Sequence, residues 1–293
     1  MRIVSLLPST TEIICDLGLA PQLLGVTVEC NWPDGIRDGR EIVVDTFTNP
    51  SMSPSEIDAI VRERVAAGLD LYTLDDAALA RCEPDLILSQ DLCRVCAVAS
   101  GDVEAAVKRL ACSAVVLQID PQNLAQVIDS INTIAVAAGV AERGKELVAS
   151  LHDRLVYVAE RVSNKPRRRV FVLEWIDPPF GAGHWVPDIV VAAGGQPVVA
   201  RPGEKSIGTS WAEINAASPE VVIVAPCGYG LEAAAAQAQS IQHLLPSTCE
   251  VWAIDADAVM VRPGARLVDG VEAIAAMLHN ISDVPTHLVR QVR

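Results

Sequence analysis

Short unbroken apolar runs alternate with longer stretches of helical period along the whole chain. The runs Arg2 to Leu7, Leu23 to Val28, Ile42 to Val44, Asp85 to Ser89 and Val115 to Ile119 read as strands covered on both faces, since they lack polar alternation. Helical stretches separate them at Ser53 to Ala67, Asp75 to Arg81, Val103 to Leu110 and Pro121 to Ala138. A further helix follows the first strand at once, because Ser9-Thr10-Thr11-Glu12 before Ile13-Ile14 fits a capping box. This βαβα alternation predicts a parallel sheet covered by helices.

The longest helical stretch is Ala141 to Asn164. Leu147, Leu151, Leu155, Val158 and Val162 share one face, and about 1.5 Å per residue gives a rod of about 35 Å. Pro166 stops it, and Lys165 to Arg169 suit the carbonyl end of a helix dipole. The alternation then returns: strands Val170 to Glu174, Val221 to Ala225 and Val251 to Ile254, with helices Pro187 to Ala193, Trp211 to Ala216, Leu231 to Leu245 and Val268 to His279. Glu83-Pro84-Asp85-Leu86-Ile87-Leu88 matches Ser218-Pro219-Glu220-Val221-Val222-Ile223, each after a short helix, and Arg169 to Leu173 resembles Arg2 to Leu6. Two copies of one plan are expected, an α/β lobe over 1–140 and another over 167–293, joined by a helix over 141–166.

Composition narrows the class. A chain of 293 residues, 51% hydrophobic and 20% charged, buries a large core. Its net charge of −14 argues against a nucleic-acid or anionic-membrane surface. No apolar run approaches the roughly 18 residues that span a bilayer, so no membrane insertion is expected. Pro8 and Glu12 break any signal core, which predicts a cytoplasmic protein; a periplasmic or cell-surface location follows only if a leader has been trimmed away. Most of the eight cysteines should then stay reduced.

Ligands of parallel α/β sheets bind beyond the strands' carboxyl ends. Those ends carry Pro8-Ser9, Glu29 to Trp32 and Asp91 to Cys96 in the first half, and Trp175 to Trp185, Arg201, Cys227 to Tyr229 and Arg262 to Arg266 in the second. Two lobes facing across those edges would share one cleft. Cys93-Arg94-Val95-Cys96 spaces two thiols for one metal or a redox disulfide, with Arg94 lowering the thiol pKa; reduced thiols in a tight loop are the alternative. With Cys30 and Cys227 they would make a composite metal site, and His184 stands in another such loop. Aromatics are 4% of the chain, yet Trp32, Trp175, Phe180 and Trp185 all fall in these loops, which favours a flat, partly apolar ligand. Arg262 and Arg266 could clamp a phosphate or carboxylate, or make surface salt bridges.

The run Arg169 to Phe180, with Arg2 to Leu17 and the central helix, resembles the helical-backbone (class III) solute-binding proteins of ABC importers, and among them the cobalamin binders. The resemblance covers nearly the whole chain apart from Thr46 to Leu74. It implies two Rossmann-like lobes joined by a rigid helix, with a corrinoid, haem or ferric siderophore held between them. Trp32 before Pro33, Phe47 and Phe180 match or lie near aromatics of the family's pocket. Arg262 looks like its ligand-side arginine, and Glu213 like the acid that docks a permease arginine. The cysteine-bearing loop departs from the importer pattern and marks a separate branch.

The leading expectation is a non-enzymatic binder of cobalamin or a related metal-tetrapyrrole or siderophore. Its site residues are Ser9, Trp32, Phe47, Trp175, Phe180, His184, Trp185, Tyr229, Arg262 and Arg266, and an ABC permease is its partner. The alternatives are a metal or iron–sulfur protein using Cys30, Cys93, Cys96 and Cys227, and a thiol-dependent redox or metal-transfer enzyme.

Overall fold

The computed structural model describes residues 1–47, 52, 54–67, 69–90, 100–109 and 113–293. The protein is mixed α/β with two sheets, in two compact units: residues 1–120 with 129–148, and residues 121–128 with 149–293.

The first unit has strands β1 (Ile3–Ser5), β2 (Leu23–Thr27), β3 (Glu41–Thr46), β4 (Tyr72–Leu74), β5 (Leu86–Ser89) and β6 (Val115–Gln118). Their order is β4-β3-β2-β1-β5-β6, and all are parallel except β4, which runs antiparallel to β3. Helices α1 (Pro8–Asp16), α2 (Pro54–Ala66), α3 (Asp76–Cys82), α4 (Ser100–Arg109) and α5 (Leu124–Ala137) complete the alternation. Val4, Leu6, Val43, Ile87, Leu79 and Val103 form one core under α3 and α4. Because β1 lies between β2 and β5, the winding reverses there.

Helix α1 starts one residue before the expected capping box. Leu7 is the N-cap without a side-chain bond, and Pro8 opens the first turn. The hydroxyls turn back instead: Thr10 bonds Ser5 at 2.6 Å, and Thr11 donates to Ser5 at 2.8 Å. A capping box does form in the second unit, at Ser210 and Glu213.

Helix α6 (Ala141–Val162) is one continuous element of 22 residues. Val148, Leu151, Val158 and Val162 are buried, while Val156 and Tyr157 are exposed on another face. Its first turns press on α5, where a Cβ on Gly144 would stand 2.4 Å from that of Ala135. Later on the helix, Arg154 is gripped by Asp269 and Glu272.

The second unit runs β7 (Arg169–Ile176), β8 (Pro179–Gly181), α7 (Val186–Ala192), β9 (Gln196–Pro197), β10 (Ile207–Gly208), α8 (Trp211–Ala216), β11 (Val221–Val224), α9 (Leu231–Ile241), β12 (Glu250–Ile254), α10 (Ala256–Val259), α11 (Leu267–His279) and β13 (Val289–Gln291). The sheet order is β10-β8-β7-β11-β12-β13, with β9 also on β7. Strands β7, β11 and β12 are parallel and fully apolar at their centres. Ala234, Ala235 and Ala238 let α9 lie close on Phe171, Val222 and Val251. Strand β13 covers the β12 edge, and the guanidinium of Arg293 donates to the carbonyls of Gln242, Pro246 and Cys249 at 2.7 to 3.1 Å. Leu124 donates its N–H to Asp188 at 3.2 Å, which ties residues 121–128 to this unit.

The matched segments occupy equivalent corners. The N–H of Arg2 donates to the Asp85 carboxylate at 2.7 Å, and that of Arg169 to the Glu220 carboxylate at 2.9 Å. The Arg2 guanidinium bonds the carbonyls of Cys82 and Glu83, and the Arg169 guanidinium bonds that of Ser218. Glu83 and Ser218, each before a proline, both adopt left-handed backbone, with φ of 41° and 47°.

Candidate functional site

In the second unit, β7 outlasts the strand expected from its sequence. It runs to Ile176 and folds back into β8, so Trp175 and Phe180 are cross-strand partners rather than residues of one open loop. The pair is partly buried, and the Trp175 indole donates to the Asp177 carbonyl at 3.1 Å. Tyr229, beyond the end of β11, packs against Trp175 with ring centroids 6.1 Å apart and a 53° tilt. That is the tilted geometry aromatic quadrupoles prefer. The Tyr229 hydroxyl is buried without a hydrogen-bond partner, and burial pushes its pKa up.

Polar groups brace this aromatic edge. Ser206 donates to Glu174, at the end of β7, at 2.7 Å, and accepts the Gly183 N–H at 3.2 Å. Only glycine fits at 183, since a Cβ would stand 2.3 Å from the Ser206 nitrogen. Beside it His184 takes left-handed backbone, φ 53°, held by its N–H on the Glu204 carbonyl and its carbonyl on the Gly203 N–H. Burial and then Lys205 depress the His184 pKa, so its imidazole is neutral near pH 7, with Nε2 buried and unbonded. Trp185 is only 6% exposed and donates to the Met260 carbonyl at 2.8 Å, a packing role for the loop.

At the ends of β11 and β12, Asp257 receives Arg262 at 3.3 Å and the Gly228 N–H. Burial, the largest influence, pushes the Asp257 carboxyl above its ordinary range although Arg262 pulls it down. Arg262 is 8% exposed, so it braces the loop, while Arg266 is partly exposed. Cys227 is exposed and its N–H reaches the Glu174 carbonyl at 3.3 Å. Glu213 is exposed but closes its own helix cap, accepting from Ser210 and Thr209.

In the first unit, Trp32 and Phe47 are 42% and 46% exposed beyond the carboxyl ends of β2 and β3. Tyr72 donates to Glu29 at 3.3 Å beside them. Ser9 is buried within α1. Cys30 is 1% exposed, with its sulfur 3.2 Å from the Thr11 hydroxyl and 3.3 Å from that of Thr27. Among the described residues no group of three or more His, Cys, Asp or Glu side chains is placed to hold a metal. Cys93 and Cys96 lie outside the described residues.

Among the residues that build these strand ends, sequence reasoning missed Glu174, Ser206 and Asp257 in the second unit and Tyr72 in the first. Glu174 and Asp257 carry a weak signal, an acid just after an apolar strand. Ser206 becomes visible only when the chain folds back on Gly183.

The family model described as periplasmic binding protein matches residues 3–253. The chain belongs to the periplasmic binding protein family. A curated relative, the uncharacterised ABC-transporter substrate-binding lipoprotein YvrC of Bacillus subtilis, is 23% identical over 95% of this chain and 80% of its own length. Among solved structures, the periplasmic vitamin B12-binding protein BtuF of Vibrio cholerae superposes with a TM-score of 0.69 at 20% identity, over 94% of this chain and 96% of its own. A periplasmic haem-binding protein from Pseudomonas aeruginosa gives 0.72 at 17% identity, over 99% and 97%. These likenesses establish the fold.

As a periplasmic binding protein, the chain is a solute-binding protein of the ABC-importer type, for which a small-molecule ligand and a permease partner are the family's expectation. The cytoplasmic location expected from the first residues is overturned by that membership and by the lipoprotein relative. The physical reason is simple: a strand-forming start, Ile3 to Leu7, reports the folded body and carries no address. No helix among the described residues is long and apolar enough to cross a membrane.

Proposed function

We propose that this solute-binding protein captures a metal chelate with a flat, partly apolar body, a corrinoid such as cobalamin or a related tetrapyrrole or siderophore complex, for an ABC permease. The observation that carries the reading is the Trp175–Tyr229 pair, partly exposed at the carboxyl ends of β7 and β11. Aromatic faces offer large apolar area at little conformational cost, which suits the flat, partly apolar body of a macrocycle. Family membership and the vitamin B12- and haem-binding neighbours support the same ligand class.

The residues proposed for contact are Trp32 and Phe47 in the first unit, and Trp175, Phe180, Tyr229 and Arg266 in the second. His184 and Arg262 hold their loops in place, and Glu213 is proposed to meet the permease. Titration with cobalamin and with haemin, followed by absorption and calorimetry, tests the reading. Saturable binding at about micromolar Kd or tighter is expected. Neither spectral change nor heat with either compound would sink it.

A further inference from the structure

Phe47 stands one residue past β3, with its N–H on the Leu71 carbonyl at 3.3 Å, and nearly half its surface is exposed. Arg64, in the last turn of α2, lays its guanidinium over that ring, 3.6 Å from the centroid. Its Nε–H donates to the Asp70 carbonyl at 2.8 Å. The stack and this bond fix the plane of the cation and occupy one of five N–H donors, leaving its outer edge for a planar acid. No carboxylate among the described residues pairs with it. Glu29, an acid on the same sheet edge, faces the Tyr72 hydroxyl.

Acids outnumber Lys and Arg 37 to 23 in this chain. Arg161 makes a like pair of contacts, a stack on Tyr157 and a bond to the Ile281 carbonyl, but along the side of a helix. Arg64 differs in standing on an aromatic just past the carboxyl end of β3, where ligands of parallel sheets bind. We propose that Arg64 is a specificity residue: the ligand is an anion-bearing chelate whose body covers Phe47 while its carboxylate or phosphate arm takes the Arg64 fork. This rests on the chelate-binding reading above and adds the charge of the ligand to it. A chelate without an acid arm would leave the fork unused, and a cationic group in that place would be repelled.

The test pairs each probe with a version lacking its acid arm: haemin with its dimethyl ester, and cobalamin with cobinamide, which lacks the phosphate-bearing arm. Affinities are measured for the wild type, Arg64→Gln and Arg64→Lys at low and high salt. For the probe that binds, Arg64→Gln should lose about tenfold or more in affinity, and most of its salt dependence, since a charge-assisted hydrogen bond is removed. The armless version should bind wild type and variant alike. Arg64→Lys, which keeps the charge but not the fork, should keep the salt dependence and lose part of the affinity. Which pair responds tells carboxylate from phosphate. Equal affinity of wild type and Arg64→Gln for the acid-armed probe, or an equal loss with its armless version, overturns the assignment and leaves the chelate reading standing. No binding of any of the four probes to the wild type overturns both. If Arg64→Gln does not fold, the Arg64→Lys comparison decides alone: unchanged affinity of the acid-armed probe, or loss of its salt dependence, overturns the assignment.

Discussion

The two units agree at the amino ends of their sheets and part company at the carboxyl ends. Arg2 with Asp85 and Arg169 with Glu220 build the same corner, down to the left-handed residue before each proline. At the other end of those strands, the first unit packs Ser5, Thr10, Thr11 and Cys30 into a buried hydroxyl and thiol cluster. The second carries Trp175, Tyr229, Glu174 and the Asp257–Arg262 pair. Folding constraints hold the amino ends alike, since both units must close the same βαβ turn. The carboxyl ends carry no such shared duty, and their chemistry separates. The lesson is that the two units repeat a scaffold at one end of their strands and differ in chemistry at the other.

The largest expected effect breaks the scaffold. Phe171 is fully buried and holds the strand position that Val4 holds in the first unit. Phe171→Ala should cost its unit about 3 to 5 kcal/mol in denaturant unfolding. Val4→Ala, which removes fewer buried carbons, should cost on the order of 2 kcal/mol. Equal losses would mean that the two cores are not packed as their registers imply.

Next comes the carboxyl edge. Trp175→Ala should weaken chelate binding by about 10- to 100-fold, while its melting temperature stays near that of the wild type, because the ring lies on a rim rather than in a core. A large stability loss with unchanged affinity would reverse the assignment of that edge.

A smaller effect tests the equivalence of the corners. Arg2→Ala and Arg169→Ala should each cost about 1 kcal/mol, the net worth of a hydrogen bond or two, and neither should change ligand affinity. Unequal costs would show that the corners share geometry but not energy.

The smallest expected effect separates the units by pH. All five histidines fall in the second unit, and burial depresses the pKa of both His184 and His279. A base whose folded pKa lies below its unfolded value binds more protons when unfolded. Its contribution is present above the ordinary histidine pKa and is lost as pH falls toward the folded value. The second unit should therefore lose stability on mild acidification, and His279→Gln should remove part of that slope in melts taken between pH 7 and 5. An unchanged slope would move the effect to other groups.

Much of the fold was legible because apolar strands and periodic helices are dense signals. The runs around Ile3, Ile87, Phe171 and Val222 each became a parallel strand of a sheet core. Edge strands of two or three residues, such as β10 and β13, carry too little period to read, and the β7–β8 hairpin hid inside a proline-rich run. At the site, residue types were legible but their duties were not. Nothing in the letters tells that Arg262 is buried against Asp257, or that Trp185 reaches the Met260 carbonyl. Those depend on which loops touch, and that is decided by distant packing.

The last residues of the second unit bear on how the protein can be handled. With β13 zipped to β12 and Arg293 bonded to three carbonyls, the tail shields a row of backbone donors and acceptors. Trimming the final five residues would bare that row to other molecules, a template for intermolecular strand addition.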